Sequence, residues 1–365
     1  MTDAVQILRE LVALDSTSAR SNLPVIDALE RHAREMGFST RRQEWADPAG
    51  VKKANLIARR AEGGLALVGH TDCVPFDAAW SGALRPEERE GRLYGRGAAD
   101  TKAFIAAALS AGARARGPAQ LIFTADEEVG CLGARKLVEE GLVRPRHAIV
   151  GEPTRLIPVL GHKGYCLAEI AVHGAEGHSA YPETGASAIL AAGRVLREIE
   201  RIGAELEADR DEQFSPPFTT LNVGQIQGGK AKNVIPGLCT LAVEWRPLPS
   251  QDVRRALGLI EEACGRIASG RIRIEIAAQR LDPGVAVPRE AEIVRFLQEM
   301  SGRAPETIPF GTELPYLAAL GAQACVFGPG DIRLAHRTGE FVPLAELKTA
   351  EEILAAALER FASRA

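Results

Sequence analysis

Apolar positions along this chain recur at two periods, and each period predicts a kind of element. Val5, Leu8, Leu11 and Val12 stand at helical spacing and predict a helix over 3–15, ended by Ser16-Thr17-Ser18. A second helix is predicted over 23–36, with Gly37 as its stop. Short β-like runs follow at Thr40–Trp45, Asn55–Ala58 and Leu65–Gly69. A glycine-rich turn at 92–97 leads into an alanine-rich helix over 102–115. Next come a strand at 121–124, a helix near 132–140 and a strand at 147–151. Alternation of β and α with apolar strands predicts an α/β fold, a mixed but mostly parallel sheet flanked by helices.

After Gly161 the texture changes. Strands are predicted at Tyr165–Val172, Thr219–Gln227, Leu238–Trp245 and Arg271–Ile276, with helices at Pro182–Glu200 and Val253–Ala268. The order β-α-β-β-α-β is that of a small ferredoxin-like α+β domain. Asp282-Pro-Gly leads out of it. The first texture then resumes with helices near 290–301, 313–320 and 343–361 and a strand at 323–327. The expected organisation is a larger domain of 1–162 and 280–365 interrupted by an inserted domain of 163–279. A length of 365 residues suits two domains.

Composition narrows the function classes. Apolar content of 46% and charged content of 25% are ordinary for a globular protein. A net charge of −4 without a basic block argues against nucleic acid or an anionic membrane surface as partner. No apolar run reaches membrane-spanning length. The start, Met1-Thr2-Asp3-Ala4, lacks the basic and apolar regions of a signal peptide, so the expected location is cytoplasmic. The six cysteines form no C-x-x-C, which indicates neither a disulfide framework nor a thiolate zinc site.

The chemistry gathers around L-I-F-T-A-D-E-E-V-G at 121–130. A buried strand that ends in acids is expected at the carboxyl edge of an open α/β sheet, where such folds bind ligands. Of two adjacent glutamates, one can hold a metal while the other takes a proton from water. His70, Asp100, Glu128, Glu152 and His336 are metal-competent side chains at strand ends or in loops. Two histidines and three carboxylates suit zinc, with cobalt or manganese as substitutes, and suit a pair of ions about 3.5–4 Å apart better than one. Asp100 has a second possible task, capping the helix that follows. Asp72, two residues past His70, is placed to accept the ring N–H and fix the tautomer.

G-H-T-D-C-V-P (69–75), G-R-G-A-A-D-T-K (95–102), T-A-D-E-E-V-G (124–130), G-E-P-T (151–154) and A-H-R-T-G-E-F-V (335–342) occur in that order. Together they resemble the family of acetylornithine deacetylase, succinyl-diaminopimelate desuccinylase and their co-catalytic zinc aminoacylase and carboxypeptidase relatives, over nearly the whole chain. The resemblance implies a zinc-peptidase-like catalytic domain with two divalent ions, zinc or cobalt. It implies His70, Asp100 and Glu152 on one ion, and Asp100, Glu128 and His336 on the other. It implies Glu127 as general base, Asp72 behind His70, and an inserted domain that acts as a lid and forms a homodimer. His178 matches a lid histidine that polarises the scissile carbonyl, in such enzymes often from the partner subunit.

F-G-T-E-L-P (310–315), with Thr312 and Glu313, and F-G-P-G-D-I-R-L-A-H (327–336) look most like the acetylornithine deacetylase branch. The implied substrate is N2-acetyl-L-ornithine, cleaved to ornithine and acetate in arginine biosynthesis. Acetylcitrulline, succinyl-diaminopimelate, an acyl-lysine or a dipeptide are alternatives, and an inactive metabolite-binding homologue is a reading of another class. Asn233 and Arg246 match lid positions that contact substrate; an arginine there suits an α-carboxylate. Two departures stand out. Thr101-Lys102-Ala103 replaces the usual Met-Lys-Gly after Asp100, and Thr338-Gly339 replaces a Pro-Asp near His336.

Overall fold

The computed structural model describes residues 3–362. They form two compact units. The first holds the described residues up to Gly161, Val287–Glu306, and those from Thr312 on; the second is His162–Ala286 with Thr307–Gly311.

Parallel strands make the centre of the first unit, in the order Ala119–Thr124, Leu65–His70, His147–Val150, Gln323–Val326. Lys52–Arg60 and then Ser39–Ala46 extend one side antiparallel, and Val159–His162 extends the other. The first three of the parallel strands are buried at every position, so they read as unbroken apolar runs rather than alternating ones. Leu67, Leu121, Phe123 and Ile149 share one core with the helices Ala4–Val12, Ala103–Arg114 and Leu344–Arg360. Residues 103–112 are buried all round, which an alanine-clad helix permits because its neighbours can approach closely. The α/β class with a mostly parallel sheet is the one the sequence predicts.

Register places the chemistry. His70 pairs with Thr124, and Val68 pairs with Val150; carrying the second pairing on sets Glu152 level with His70. The glycine before Glu152 is required by packing. A Cβ at Gly151 would fall 2.1 Å from Phe104 Cδ1, so its absence lets the central helix cross the strand end.

The second unit is an antiparallel sheet in the order Thr220–Gly228, Leu238–Arg246, Tyr165–His173, Arg273–Asp282. Alternate residues, Cys166, Ala168, Ile170 and Val172 on one strand and Cys239, Leu241, Val243 and Trp245 on the next, face the helices Ala188–Leu206 and Arg255–Ile267. Two elements differ from the sequence pattern. Instead of one helix over 182–200, the chain makes a 3-10 turn, Pro182–Thr184, and then the helix Ala188–Leu206. Gly185 is extended, and Ser187 caps the later start, its Oγ accepting the Leu190 N–H at 3.3 Å. The last strand runs to Asp282, because an irregularity between Ala278 and Arg280 keeps it paired.

Candidate metal centre

Strand ends and the turns beyond them bring all five metal-competent side chains of the sequence reading together. One ligand atom each from His70, Asp100 and Glu152 lie within 4.8 Å of one another, and so do one each from Asp100, Glu128 and His336. Asp100 belongs to both sets. His70 ends a central strand, with Nε2 3.1 Å from Asp100 Oδ1 and Nδ1 3.6 Å from Asp72 Oδ1. Asp100 sits in the turn Ala98–Lys102, with φ −115° and ψ 94°, ahead of the central helix. It does not cap that helix. Lys102 holds the cap position, and the Asp100 carboxylate goes to His70 and to His336, whose Nε2 is 3.2 Å from Oδ2. Ala103 has ordinary helical angles, φ −63° and ψ −43°, so the missing glycine leaves no strain there. His336 Nε2 also lies 3.2 Å from Glu128 Oε1.

Asp72 knits the site from behind. Its buried carboxylate accepts from the Ser18 hydroxyl at 2.7 Å and from the backbone N–H groups of Glu127 at 3.0 Å and Glu128 at 3.4 Å. Asp72 thus holds both, its backbone O 3.1 Å from His70 Nδ1, nearer than the carboxylate at 3.6 Å, and its carboxylate on the backbone of the acid pair. Glu127 is part-buried, and its Oε1 accepts from the Cys131 thiol at 3.4 Å.

The electrostatics show a surplus of negative charge. Burial pushes Glu127 up to about 8; His70 works against this, while Glu128, Glu313 and Asp72 add to it. Glu152 is held well above the usual carboxylate value, first by burial and then by Asp100. Burial also raises Glu128. Against the same burial, hydrogen bonds from His336 and His70 hold Asp100 well below the usual range. Asp100 and Glu128 in turn lift His336 to about 10. Two imidazoles and three carboxylates, crowded and reluctant to ionise together, are a donor set that divalent cations satisfy. Each set offers three donors, the number that leaves coordination positions open for water and substrate.

Residues 66–360 match the family described as peptidase family M20/M25/M40. The chain belongs to this family. It is 55% identical over 376 positions to an acetylornithine deacetylase of Myxococcus xanthus, with 99% of each chain covered. It is 33% identical to an acetylornithine deacetylase of Proteus mirabilis (strain HI4320), with 98% of this chain and 96% of the relative covered. Among solved structures, a tripeptidase from Staphylococcus aureus matches with a TM-score of 0.80 over 98% of each chain, at 20% identity, a likeness of fold. Enzymes of family M20 are metal-dependent, and this one is a metal-dependent amidohydrolase.

Several residues that support this M20 site carry no mark in the sequence reading. Glu340 is buried, accepts from Arg96 Nη1 at 2.6 Å, and with its other oxygen accepts from the N–H groups of Ala99 at 3.0 Å and Asp100 at 3.2 Å. It therefore sets the backbone of the shared ligand. Its signal was its place four residues after His336, next to the Thr338-Gly339 departure. Lys53 is buried against Asp126, with Nζ–Oδ1 at 2.6 Å. Thr312 and Glu313, which the sequence does mark, start the helix Leu314–Ala319, and Thr312 Oγ1 accepts the Leu314 N–H at 3.1 Å. Glu313 is buried, and burial lifts its carboxyl to about 7, with the Thr124 side chain working against the rise. The nearby Thr124 hydroxyl donates to Gly69 O at 3.4 Å.

His178, Asn233 and Arg246 belong to the second unit. His178 pairs with Val234 in a two-residue ladder, and the Ser179 N–H donates to Asn233 O at 3.1 Å, so these two expected contacts are neighbours. Arg246 stands at the far end of Leu238–Arg246. Its Nε donates to Glu244 Oε1 at 2.8 Å and its Nη1 to Pro309 O at 3.0 Å, over the ring of Tyr165.

Proposed function

We propose that the protein removes the acetyl group from N2-acetyl-L-ornithine, giving L-ornithine and acetate, with two divalent ions, zinc or cobalt. The pair of three-donor sets sharing Asp100, with Glu127 beside them, carries the reading of the chemistry. The two acetylornithine deacetylases among its relatives support the choice of substrate.

In this reading His70, Asp100 and Glu152 hold one ion, and Asp100, Glu128 and His336 the other. When bound, the ions polarise the substrate carbonyl and acidify a water. Glu127 takes the proton from that water on its carboxylate and returns it to the leaving nitrogen. The raised proton affinity of Glu127 suits both halves of that task, since cations nearby draw it back toward neutrality. Asp72 keeps the His70 ring and the Glu127 backbone in place. His178 donates to the developing oxyanion, from the same or the partner subunit. Asn233, Arg246, Thr312 and Glu313 contact the substrate, and Arg246 receives the α-carboxylate in exchange for Glu244.

The second unit then serves as a lid that pairs with a second copy. Ile189, Leu190, Ile226 and Leu238 support this, at 41%, 70%, 50% and 48% exposure, because exposed apolar side chains gathered on one domain favour a protein partner. All six cysteines are buried thiols, as suits the reducing cytoplasm.

The experiment is ornithine release from N2-acetylornithine by purified protein, stripped of metal and then reloaded with cobalt or zinc. Release that disappears on stripping and returns on reloading is the expected result. Loaded protein that cleaves acetylcitrulline or succinyl-diaminopimelate but not acetylornithine refutes the substrate. Loaded protein that cleaves none of them refutes the whole reading.

A further inference from the structure

The turn that carries Glu127 and Glu128 is gripped from the neighbouring antiparallel strand. Leu56 pairs with Phe123, so carrying the register on by three residues sets Lys53 opposite Asp126. That is where their side chains meet, Nζ to Oδ1 at 2.6 Å. The Lys53 and Asp126 side chains are 1% and 3% exposed. The same ammonium donates to Ser18 O at 2.6 Å. The Ser18 hydroxyl donates to Asp72 Oδ2 at 2.7 Å, and Asp72 accepts the N–H groups of Glu127 and Glu128. A closed path therefore runs from Asp126 through Lys53, Ser18 and Asp72 back to the residue after Asp126.

Asn55, two residues along the same strand, grips the base of the turn. Its Oδ1 accepts the Ala125 N–H at 3.0 Å and its Nδ2 donates to Gly133 O at 2.9 Å. Asp126 itself lies in the left-handed region, φ 57°, a conformation that a non-glycine residue keeps only where its surroundings hold it. A buried lysine in a strand could merely neutralise a buried acid. Here its second bond ties that acid, through Ser18, to the carboxylate that holds the Glu127 backbone.

We propose that Lys53, acting with Ser18, is a positioning residue for catalysis: the buried brace that fixes the Glu127 turn. The proposal rests on the reading of Glu127 as general base. General-base chemistry is sensitive to placement, and a displacement of about 1 Å costs up to about a hundredfold in rate. The brace acts on where Glu127 stands. Among the described residues, the bonds of the Lys53 ammonium and the Ser18 hydroxyl go to Asp126, Ser18 O, Asp72 and Cys73 O, and to no metal-ligand atom of the five candidate ligands.

The test uses the metal-loaded enzyme and N2-acetylornithine. Lys53→Met alone leaves Asp126 charged and buried, so the pair of changes Lys53→Met with Asp126→Asn, neutral and similar in shape, is the main variant. Ser18→Ala, a loss of one hydroxyl, is the second. In the double variant kcat falls about tenfold or more, KM stays within about threefold, and metal per chain is unchanged. Ser18→Ala lowers kcat by a smaller factor in the same way. Amide hydrogen exchange in a peptide spanning 125–133 speeds up in both variants, a readout independent of turnover. A wild-type kcat in the double variant overturns the brace, as does a fall in kcat that tracks loss of metal. If Glu127→Gln also retains turnover, the base reading has failed; if only the brace variants do, the brace alone has failed.

Discussion

Replacing Glu340 with glutamine strikes the foundation of the centre without touching a ligand. Glu340 and Arg96 have side chains 1% and 3% exposed and meet at 2.6 Å. The change leaves the Arg96 guanidinium buried without its counter-charge. Removing one partner of such a pair costs about 3–5 kcal/mol, against a total stability of about 5–15 kcal/mol for a typical domain. Glutamine has one acceptor oxygen. If that oxygen keeps the N–H groups of Ala99 and Asp100, its amide N–H₂ faces Arg96, donor against donor. If it turns to Arg96, the two backbone donors lose their partner. The first arrangement strains the side chain that fixes the Asp100 backbone and the second releases that backbone, so Asp100, shared by both donor sets, is held less firmly in either. Loss of an outer-shell partner weakens metal binding by about 10–100-fold. Urea unfolding of the metal-free protein should show the stability loss, and competition with a chelator should show weaker binding at both ions. The charge-neutral pair Glu340→Gln with Arg96→Met should recover much of the stability and part of the affinity, since the one amide oxygen can then keep the N–H groups of Ala99 and Asp100. Destabilisation below about 1 kcal/mol together with wild-type metal affinity would refute this account, since a buried pair so placed cannot be that cheap to break.

Glu127→Gln should abolish ornithine release while the protein still binds two ions per chain, measured by elemental analysis of the gel-filtered variant; turnover at the wild-type rate would remove Glu127 from the role of base. The metal-free protein should lose stability as pH rises. Glu127 is raised from the usual 4.5 to about 8 and His336 from 6.5 to about 10, so through this span the folded chain holds more protons than the unfolded chain. The stability from His336 is complete below pH 6.5 and gone above about 10, and the raised Glu127 penalises folding increasingly from 4.5 to about 8. Asp72 and Asp100, held below the usual 3.8, act in the opposite sense, losing stability only as pH falls through the acid range. Melting temperature in chelator should therefore drop from pH 6 to pH 9, and saturating metal should flatten the drop; a flat or rising curve in chelator refutes the charge account.

The convergence of His70, Asp100, Glu128, Glu152 and His336 was legible because four of them follow a strand or turn that the apolar pattern marks. Parallel strand ends are neighbours by construction. The order of the strands was not legible, and neither was anything that depends on it. Lys53 lies ahead of the expected strand Asn55–Ala58 and reads as one of two adjacent solvated lysines. Its burial follows only from the antiparallel pairing with Ala119–Thr124, which sets it against Asp126. Arg96 and Glu340 are 244 residues apart, and no local pattern links them. The misplaced helix start at 182 has a local cause, since Gly185 and the Ser187 cap were present in the sequence but were outweighed by the apolar periodicity of the residues that follow.

The outer residues also bear on how many ions the centre holds. Lys53 answers Asp126, and Arg96 answers Glu340, so these buried acids are balanced inside the protein. The inner group differs. Asp100 and Glu128 have His70 and His336 as ion-pair partners, and those rings must give up their protons to act as ligands. Asp100, Glu127, Glu128 and Glu152 then present four negative charges in a part-buried space, with Asp72 behind them, and burial first and that crowding second raise the proton affinities of the three glutamates. One divalent ion would cancel half of that charge and leave a glutamate protonated. Two would offset those four charges, leaving Asp72 to its Ser18 and backbone donors, and would favour an ionised Glu127, the state in which it can accept a proton. The charge balance thus supports two ions independently of the sharing of Asp100, and it ties the ionisation of Glu127 to the filling of both positions.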